Sequence, residues 1–388
     1  MCSGVLHPRT FRTKRPIGDS RAFEGAEAPW SVGLCLYPRG VMDRYNEMRA
    51  ELRAAPKTWV VTGVAGFIGS HLLQELLELG QTVRGVDDFS TGRRSNLEAV
   101  SSAVSGEAWA RFTLWEESVC SEAEMTEVCT DADFVLHQAA LGSVPRSIAD
   151  PLLSHAANVS GFVTTLTCAK NAGVTRFVYA SSSSVYGDHP DLPKVESAIG
   201  EPLSPYAATK RIDEIYAAVF QRTYGLQTTG MRYFNVYGPR QDPNGPYAAV
   251  IPLWIATMQA GRRPAINGDG ETSRDFCPVA NVVQANLLAA VTPHAKTRVF
   301  NVALGNRTTL NELFVALRAG LVERGYPVGK LAPDFGPFRE GDVRHSLAAL
   351  DAIREQLGYA PEVGFEEGLA RTLDACLAPR CEPGRTTP

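Results

Sequence analysis

The segment Thr62-Gly63-Val64-Ala65-Gly66-Phe67-Ile68-Gly69-Ser70 decides the fold of this chain. It follows the apolar run Trp59-Val60-Val61 and leads into a stretch whose leucines recur at helical spacing. Glycines at positions 63, 66 and 69 permit a tight turn, let the backbone approach a pyrophosphate, and let the helix pack closely on the strand. The phosphate charge then meets the helix N-terminus, so Gly63, Gly66 and Gly69 predict a dinucleotide site.

Asp87 indicates which dinucleotide is bound. It comes directly after a second predicted strand, at residues 82–86. A carboxylate at that strand end accepts hydrogen bonds from the adenosine ribose hydroxyls and repels a 2'-phosphate. The sequence therefore predicts NAD rather than NADP.

Strands and helices alternate after the glycine loop. Strands are predicted at residues 134–137, 177–180 and 228–233, and helices at residues 70–79, near 158–172 and near 206–224. This alternation is typical of an α/β protein with a doubly wound parallel sheet, a Rossmann-type fold. Prolines break the pattern after Gly238. We therefore expect an NAD-binding domain over residues 42–238 and, over residues 239–378, a smaller mixed α/β domain that binds mainly the substrate, with some segments returning to the first.

The two ends of the chain differ from the rest. Residues 1–41 show neither helical nor strand periodicity, whereas Met42 opens a segment in which Tyr45, Met48 and Leu52 recur at helical spacing. We expect residues 1–41 to be a disordered extension or to precede the functional start. Residues 379–388, rich in Pro, Arg and Thr, are expected to form a disordered tail.

The composition argues against several classes of function. The 388 residues are 44% hydrophobic and carry a net charge of -4, which gives no global positive field for nucleic acid or an anionic membrane. The 8 cysteines are scattered without a Cys-x-x-Cys pair, which favours a reduced, cytoplasmic protein and predicts neither disulfides nor a metal site. No apolar run approaches the roughly 20 residues of a membrane-spanning helix.

Three residues carry a hydroxyl, a phenol and an ammonium, which are the groups that oxidation of an alcohol by a nicotinamide requires. They occur in that order along the chain. Tyr206 and Lys210 are four residues apart on a predicted helix and share a face. A free tyrosine has a pKa of about 10, and a nearby ammonium stabilises its phenolate and makes it a usable base. Ser182, at the end of a strand, is placed to orient a substrate oxygen. These three residues predict a redox site.

The chain resembles the extended short-chain dehydrogenase/reductase superfamily of nucleotide-sugar enzymes from about Met42 to Leu373. More narrowly, it resembles the UDP-N-acetylglucosamine 4-epimerases of bacterial surface-polysaccharide pathways, including O-antigen synthesis. The segments that carry the resemblance are Leu136-His137-Gln138-Ala139-Ala140-Leu141-Gly142-Ser143-Val144-Pro145-Arg146-Ser147, Tyr233-Phe234-Asn235-Val236-Tyr237-Gly238, Gly268-Asp269-Gly270-Glu271-Thr272-Ser273-Arg274-Asp275-Phe276 and Arg339-Glu340-Gly341-Asp342-Val343-Arg344.

The resemblance implies a role for individual residues. Tyr206 is the base. Lys210 stabilises the phenolate of Tyr206 and binds the nicotinamide ribose, and Ser182 hydrogen-bonds to the sugar O4. Arg274 and Arg339 clasp the UDP diphosphate, because a guanidinium fork matches phosphate oxygens. The other cofactor-binding residues that it implies are Phe67, Ile68, Gln138, Ala139, Ala140, Asn158 and Tyr233, and the other substrate-binding residues are Gly142, Ser143, Ser183, Asn235, Asp342 and Ser346.

Ser118 departs from the family pattern. The family commonly places a Gly-Asp pair after the third strand, where the Asp contacts the adenine, and here Ser118 occupies the Asp position. This departure bears on how strongly the adenine is bound, since the phosphate and ribose contacts remain. Glu116 or Glu117 could substitute if the loop shifts by one residue.

The resemblance also narrows the reaction and the sugar. Related dehydratases carry acids where this chain has Ser183 and Ser184, and without a proton donor elimination is disfavoured. The remaining chemistry is reversible oxidation at C4. The 4-keto sugar rotates to present its other face before it is reduced again. In the resembling epimerases the position of Ser346 forms a wall of the hexose pocket, and a small residue there admits a 2-acetamido group.

Expectations follow for activity and for assembly. The first is an NAD-dependent 4-epimerase of UDP-N-acetylhexosamines, interconverting UDP-GlcNAc and UDP-GalNAc. The alternatives are a UDP-N-acetylglucosaminuronic acid 4-epimerase and, in a different class, a non-catalytic NAD-binding scaffold. Such scaffolds typically lose the tyrosine or the lysine, and this chain keeps both. The resemblance also implies a homodimer, formed through the helices near residues 158–172 and 206–224.

Overall fold

The computed structural model describes residues 39–244, 248–293, 298–338 and 343–378. Its strands are β1 (Thr58–Thr62), β2 (Thr82–Val86), β3 (Phe112–Trp115), β4 (Phe134–His137), β5 (Arg176–Ser182), β6 (Thr228–Tyr233), β7 (Val236–Tyr237), β8 (Ala265–Asn267), β9 (Ser273–Arg274), β10 (Cys277–Pro278), β11 (Val299–Val302), β12 (Thr308–Thr309) and β13 (Asp334–Gly336). Its α-helices are α1 (Arg39–Ala54), α2 (Phe67–Glu78), α3 (Arg94–Ala103), α4 (Gly106–Trp109), α5 (Glu122–Cys129), α6 (Val144–Ala149), α7 (Pro151–His155), α8 (Gly161–Asn171), α9 (Pro205–Tyr224), α10 (Val250–Gln259), α11 (Val279–Val291), α12 (Leu310–Glu323), α13 (Asp351–Leu357) and α14 (Phe365–Leu377).

Seven strands form one sheet in the order β11-β6-β5-β4-β1-β2-β3, and every neighbouring pair is parallel. The predicted fold class, a doubly wound parallel sheet, is therefore confirmed. Because the strands are parallel, their carboxyl ends lie at one edge of the sheet. That edge brings together the residues that follow β1, β2, β4, β5 and β6.

Apolar layers cover both faces of the sheet. On one face α2 and α11 pack against the strands through fully buried side chains such as Leu72, Leu76 and Leu288. On the other face α8 and α9 contribute Phe162 and Phe220 to a second cluster. Burial of one such side chain stabilises the fold by about 1.5–3 kcal/mol, so these layers fix the sheet that positions the loops.

Part of the chain after Gly238 completes the sheet. β11 pairs with β6, with Val299 opposite Gly230. The remaining short strands form three two-stranded pairs, β7 with β10, β8 with β13 and β9 with β12. A third apolar cluster around Trp254, Phe314 and Leu369 holds α10, α12 and α14 together. The division into domains at residue 238 remains a prediction.

Helix α1 packs on the sheet domain. Tyr45, Met48 and Leu52, the residues recognised from their spacing, are at most 4% exposed and belong to the main core. The helix begins at Arg39, before the predicted start of the segment. The expectations for residues 1–38 and 379–388 fall outside the described residues.

Candidate active site

The glycines of the loop between β1 and α2 shape a cradle at the sheet edge. Gly63 has a φ of +65°, the left-handed region that favours glycine, and a Cβ there would lie 2.9 Å from the Ala139 nitrogen. A Cβ on Gly69 would lie 2.1 Å from the Gly63 carbonyl oxygen. Gly66 precedes α2 without a side-chain cap, so the first N–H groups of the helix face the cradle. This loop fits a pyrophosphate.

Asp87 is tied to the same loop. Its carboxylate accepts hydrogen bonds from the Ala65 N–H at 2.8 Å and the Phe89 N–H at 2.9 Å. Burial raises the pKa of Asp87 above its ordinary value, and these two N–H donors oppose the rise. A carboxylate has about four lone-pair sites, so the group retains acceptors for ribose hydroxyls.

A cavity of about 310 Å³ lies between the glycine loop and the carboxyl ends of the strands. The sequence-predicted cofactor residues that line it are Gly63, Gly66, Phe67, Ile68, Gly69, Asp87, Ser118, Gln138, Ala139 and Ala140. Gly142, predicted to line the hexose pocket, lines this cavity as well. Ten of the predicted cofactor residues are therefore gathered around one cavity.

Ser118 lies at the wall of this cavity, next to an acid. Glu117 lines the cavity too, whereas Glu116 forms an ion pair with Arg94 on α3. Of the two acids weighed as substitutes for the family's aspartate, Glu117 is the one beside the cavity.

Tyr233 and Asn158, both predicted to contact the cofactor, hold the cavity wall. The Tyr233 hydroxyl donates to Gln138 Oε1 at 2.9 Å. Asn158 lies in a π-helical turn, residues 156–160, where its Oδ1 accepts from the Leu141 N–H at 2.7 Å and its Nδ2 donates to the Thr209 hydroxyl at 3.1 Å. Asn158 thereby connects the cavity wall to helix α9.

Tyr206 and Lys210 lie in the first turns of α9. The Tyr206 N–H donates to Ser147 Oγ at 3.0 Å, which fixes the start of the helix against α6. The Lys210 side chain is 2% exposed, and its Nζ donates to Asp213 Oδ2 at 3.1 Å. The predicted base and its ammonium therefore share one face of a helix that is anchored at both positions.

Ser182 ends β5 beside this helix. Its Oγ accepts hydrogen bonds from the Ser184 N–H at 3.1 Å and the Ser184 hydroxyl at 2.9 Å. With both acceptor positions used, the Ser182 proton can be donated to a substrate oxygen.

A second cavity of about 550 Å³ opens at α9, and a third of about 350 Å³ adjoins it. Asn235 and Arg274 line both, so the two cavities meet at these residues. Ser183 and Ser346 lie in the wall of the larger cavity. The Ser346 N–H donates to the Ser273 carbonyl, which fixes that wall against the strand carrying Arg274.

The remaining predicted substrate residues are placed differently. Ser143 has a φ of +100° and its Oγ accepts from the Arg146 N–H, so it begins helix α6. Arg339 and Asp342 lie outside the described residues. Their predicted roles stay predictions.

Four side chains to which the sequence assigned no supporting role help to form the site. Ser184 and Ser147 hold Ser182 and Tyr206, Asp213 pairs with Lys210, and Lys194 lines the larger cavity. The Lys210–Asp213 spacing of three residues was a readable signal, because such residues adjoin on a helix. The Ser147–Tyr206 contact spans 59 residues and had none.

Comparison with known proteins identifies the family. The model of the NAD dependent epimerase/dehydratase family matches residues 59–303. The chain belongs to this family. A UDP-glucose 4-epimerase of Mycolicibacterium smegmatis is 39% identical over 318 residues, which cover 81% of this chain and 97% of the relative.

Solved structures of the family have the same fold. A UDP-N-acetylglucosamine 4-epimerase from Methanobrevibacter ruminantium, in complex with UDP-N-acetylmuramic acid, is 37% identical with a TM-score of 0.76. It covers 82% of this chain and 98% of its own. A UDP-glucuronic acid 4-epimerase from Bacillus cereus, bound to UDP-glucuronic acid and NAD, is 27% identical with a TM-score of 0.72, over 82% of this chain and 98% of its own.

Membership of the family confirms that this epimerase/dehydratase chain is an enzyme whose cofactor is NAD. The glycine cradle, the uncapped helix terminus and the Asp87 carboxylate are the parts of the structure that fit this cofactor. Among the described residues there is no cluster of three His, Cys, Asp or Glu side chains that could hold a metal. No helix in the described ranges is long and apolar enough to cross a membrane.

Proposed function

We propose that the chain is a 4-epimerase that interconverts UDP-GlcNAc and UDP-GalNAc. The observation that carries the sugar assignment is Ser346 in the wall of the 550 Å³ cavity. Ser183, Gly187 and Ala207 line the same cavity, so small side chains leave room for a 2-acetamido group. The solved UDP-N-acetylglucosamine 4-epimerase that is 37% identical supports this assignment.

The hydrogen bonds at α9 support the catalytic roles that we assign to Tyr206, Lys210 and Ser182. The Lys210 ammonium stabilises the Tyr206 phenolate, which takes the proton from the sugar O4 and becomes a neutral phenol. Ser182 donates its hydroxyl proton to O4 and orients it, because Ser184 occupies its acceptor positions. NAD, when bound, supplies the reversible hydride transfer at C4. After the 4-keto sugar has rotated to its other face, Tyr206 returns the proton to O4 and the inversion is complete.

Turning the sugar requires a firm hold on the nucleotide and a loose hold on the hexose. Arg274 lies where the two substrate cavities meet, and we assign it to the diphosphate. The resemblance also assigns Arg339 to the diphosphate and Asp342 to the substrate. The 350 Å³ cavity, with the aromatic side chains of Trp254 and Phe276 in its lining, is suited to the uridine.

A uronate substrate is the second candidate, and Lys194 is the observation that favours it. Lys194 lines the larger cavity and its side chain is almost wholly buried. Its Nζ donates to the His189 carbonyl, so the ammonium is held in place. A fixed cation there would attract a C6 carboxylate on the sugar. The solved UDP-glucuronic acid 4-epimerase is consistent with such a substrate.

The assembly proposed is a homodimer formed through α9 and its neighbours. Ile215, Tyr216 and Val219 on α9 are 40–49% exposed, and Leu152 and Leu153 on α7 are 82% and 53% exposed. Contiguous apolar side chains on neighbouring helices favour association. Light scattering during size-exclusion chromatography tests this, and a monomer would refute it. We place the enzyme in the cytoplasm, consistent with Cys120, Cys129, Cys168 and Cys277, which form no disulfide.

The test is incubation of the purified protein with UDP-GlcNAc and separation of the products by anion-exchange chromatography. We expect UDP-GalNAc to form without added reductant, and Tyr206→Phe to lose about 10²–10⁴-fold in turnover while keeping the fold. Conversion of UDP-GlcNAcA alone would replace the proposed substrate by the uronate. Failure to convert either sugar with NAD retained would favour a non-catalytic scaffold.

A further inference from the structure

A second charged side chain lies behind the lysine of the proposed site. Lys210 Nζ and Asp213 Oδ2 are 3.1 Å apart, and the two side chains are 2% and 0% exposed. Asp213 Oδ1 is buried and has no hydrogen-bond partner among the described residues. Asp213 therefore makes one strong polar contact, and this contact is with the ammonium that Tyr206 depends on.

The other titratable groups around Lys210 and Asp213 either form ion pairs or are uncharged. Glu214, the next residue on α9, is paired with Arg232 at 2.8 Å and Arg211 at 3.1 Å. His137 on β4 has its pKa lowered to about 3 by burial and by the charge of Lys210, so its ring is neutral. Burial raises the pKa of Tyr179 on β5, so its phenol is neutral too.

We propose that Asp213 is a positioning residue that sets how much of the Lys210 charge Tyr206 experiences, and with it the pH at which Tyr206 works as a base. The proposal rests on the proposed function for the role of Tyr206. An ionised Asp213 cancels part of the ammonium's positive potential and so makes the Tyr206 phenolate harder to form. With a neutral side chain at position 213, the full positive potential of the Lys210 ammonium acts on Tyr206.

The size of the effect follows from helix geometry. Tyr206 and Asp213 are seven residues apart on α9, which corresponds to about 10 Å along the helix axis. A unit charge at about 10 Å, with an effective dielectric constant of about 20, shifts an ionisation by about one pH unit. Burial raises the pKa of Asp213 although Lys210 opposes the rise, so this carboxyl titrates closer to neutral pH than an ordinary aspartate.

The experiment measures kcat against pH for the enzyme with its bound NAD and for two variants. In Asp213→Asn an oxygen remains for the Lys210 hydrogen bond but the charge is removed. The acidic limb of the profile is expected to move to lower pH by at most about one unit, because only the ionised fraction of Asp213 acts on Tyr206. In Asp213→Glu the charge is kept, and the limb is expected to stay in place. Glu127→Gln, which removes an exposed carboxylate on α5, controls for net charge. A uniform fall in kcat at all pH values in Asp213→Asn, with the limb unmoved, would leave Asp213 a purely structural role and overturn the proposal.

A direct titration separates this proposal from the proposed function. The near-ultraviolet absorbance of the phenolate is followed against pH in the NAD-bound protein, and the titration of Tyr206→Phe is subtracted. If no UDP-sugar is converted but the Tyr206 titration moves to lower pH in Asp213→Asn, the proposed function fails and the role of Asp213 stands. If the titration is unchanged in Asp213→Asn, the role of Asp213 is refuted whatever the substrate.

Discussion

Replacement of Gly69 by alanine tests whether the glycine loop is built as the structure indicates. A Cβ at this position would lie 2.1 Å from the Gly63 carbonyl oxygen and 2.8 Å from its carbon, both backbone atoms. Ordinary van der Waals contact begins at 3.4 Å, so α2 and the loop must separate by about 1.3 Å. No side chain can turn aside to relieve this contact. Gly69→Ala therefore changes the cradle itself.

The expected result is a loss of bound cofactor that exceeds the loss of stability. Overpacking of this kind costs about 1–3 kcal/mol, which in a protein of this size lowers Tm by only a few degrees because its unfolding entropy is large. A displacement of about an ångström at the pyrophosphate is expected to remove most of the NAD that co-purifies with the protein. The assay releases bound NAD by denaturation and quantifies it per mole of protein, alongside a thermal melt.

Gly106→Ala is the matched control. Gly106 lies at the start of α4, and a Cβ there would meet nothing within 4 Å. This variant should keep its NAD and its Tm. If Gly69→Ala also retained stoichiometric NAD and an unchanged Tm, the close approach of α2 to the loop would be refuted.

Two further variants test the substrate wall and the buried charges. Ser346→Tyr places a ring in the larger cavity, and we expect turnover of UDP-GlcNAc to fall at least about ten-fold while UDP-glucose is still converted; an equal loss on both sugars would contradict the proposed wall. Glu214→Gln leaves Arg232, with its side chain 3% exposed, without its carboxylate, and the free energy of unfolding in urea should fall by about 3–5 kcal/mol. The control Glu116→Gln breaks an exposed pair and should cost under about 1 kcal/mol, so equal costs would contradict the buried role of Glu214.

The sequence was most informative where chemistry and local periodicity coincide. The strands at residues 82–86, 134–137 and 228–233 have the predicted bounds. The helix after the glycine loop begins at Phe67 rather than at the predicted Ser70. The difference is physical, since a glycine N-cap gives no side-chain signal and the first turn supplies backbone N–H groups to the cofactor.

Contacts between residues far apart in the chain could not be predicted from the sequence. β11 joins the sheet beside β6, although about seventy residues separate Val299 from Gly230 in the chain, and nothing local in either strand encodes that neighbour. The spacing of Asp213 from Lys210 indicates that the two side chains can pair, but it does not indicate that the pair is buried. In both cases tertiary packing decides.

The topology is consistent with the proposed site, which must hold a nucleotide firmly and let a sugar turn. Gln138, Ser182 and Tyr233 end or follow β4, β5 and β6, and the register places Ser182 directly opposite Tyr233. The cavity wall and the Ser182 hydroxyl, which we propose binds O4, are thus carried by adjacent strands of one sheet, so the strand register fixes their separation. The larger cavity is walled partly by residues outside that sheet, including Ser346, whose side chain offers little to grip a hexose. Inversion at C4 places two conditions on this fold. The site must be rigid where the hydride and proton are exchanged, and its side chains must be small where the sugar ring passes.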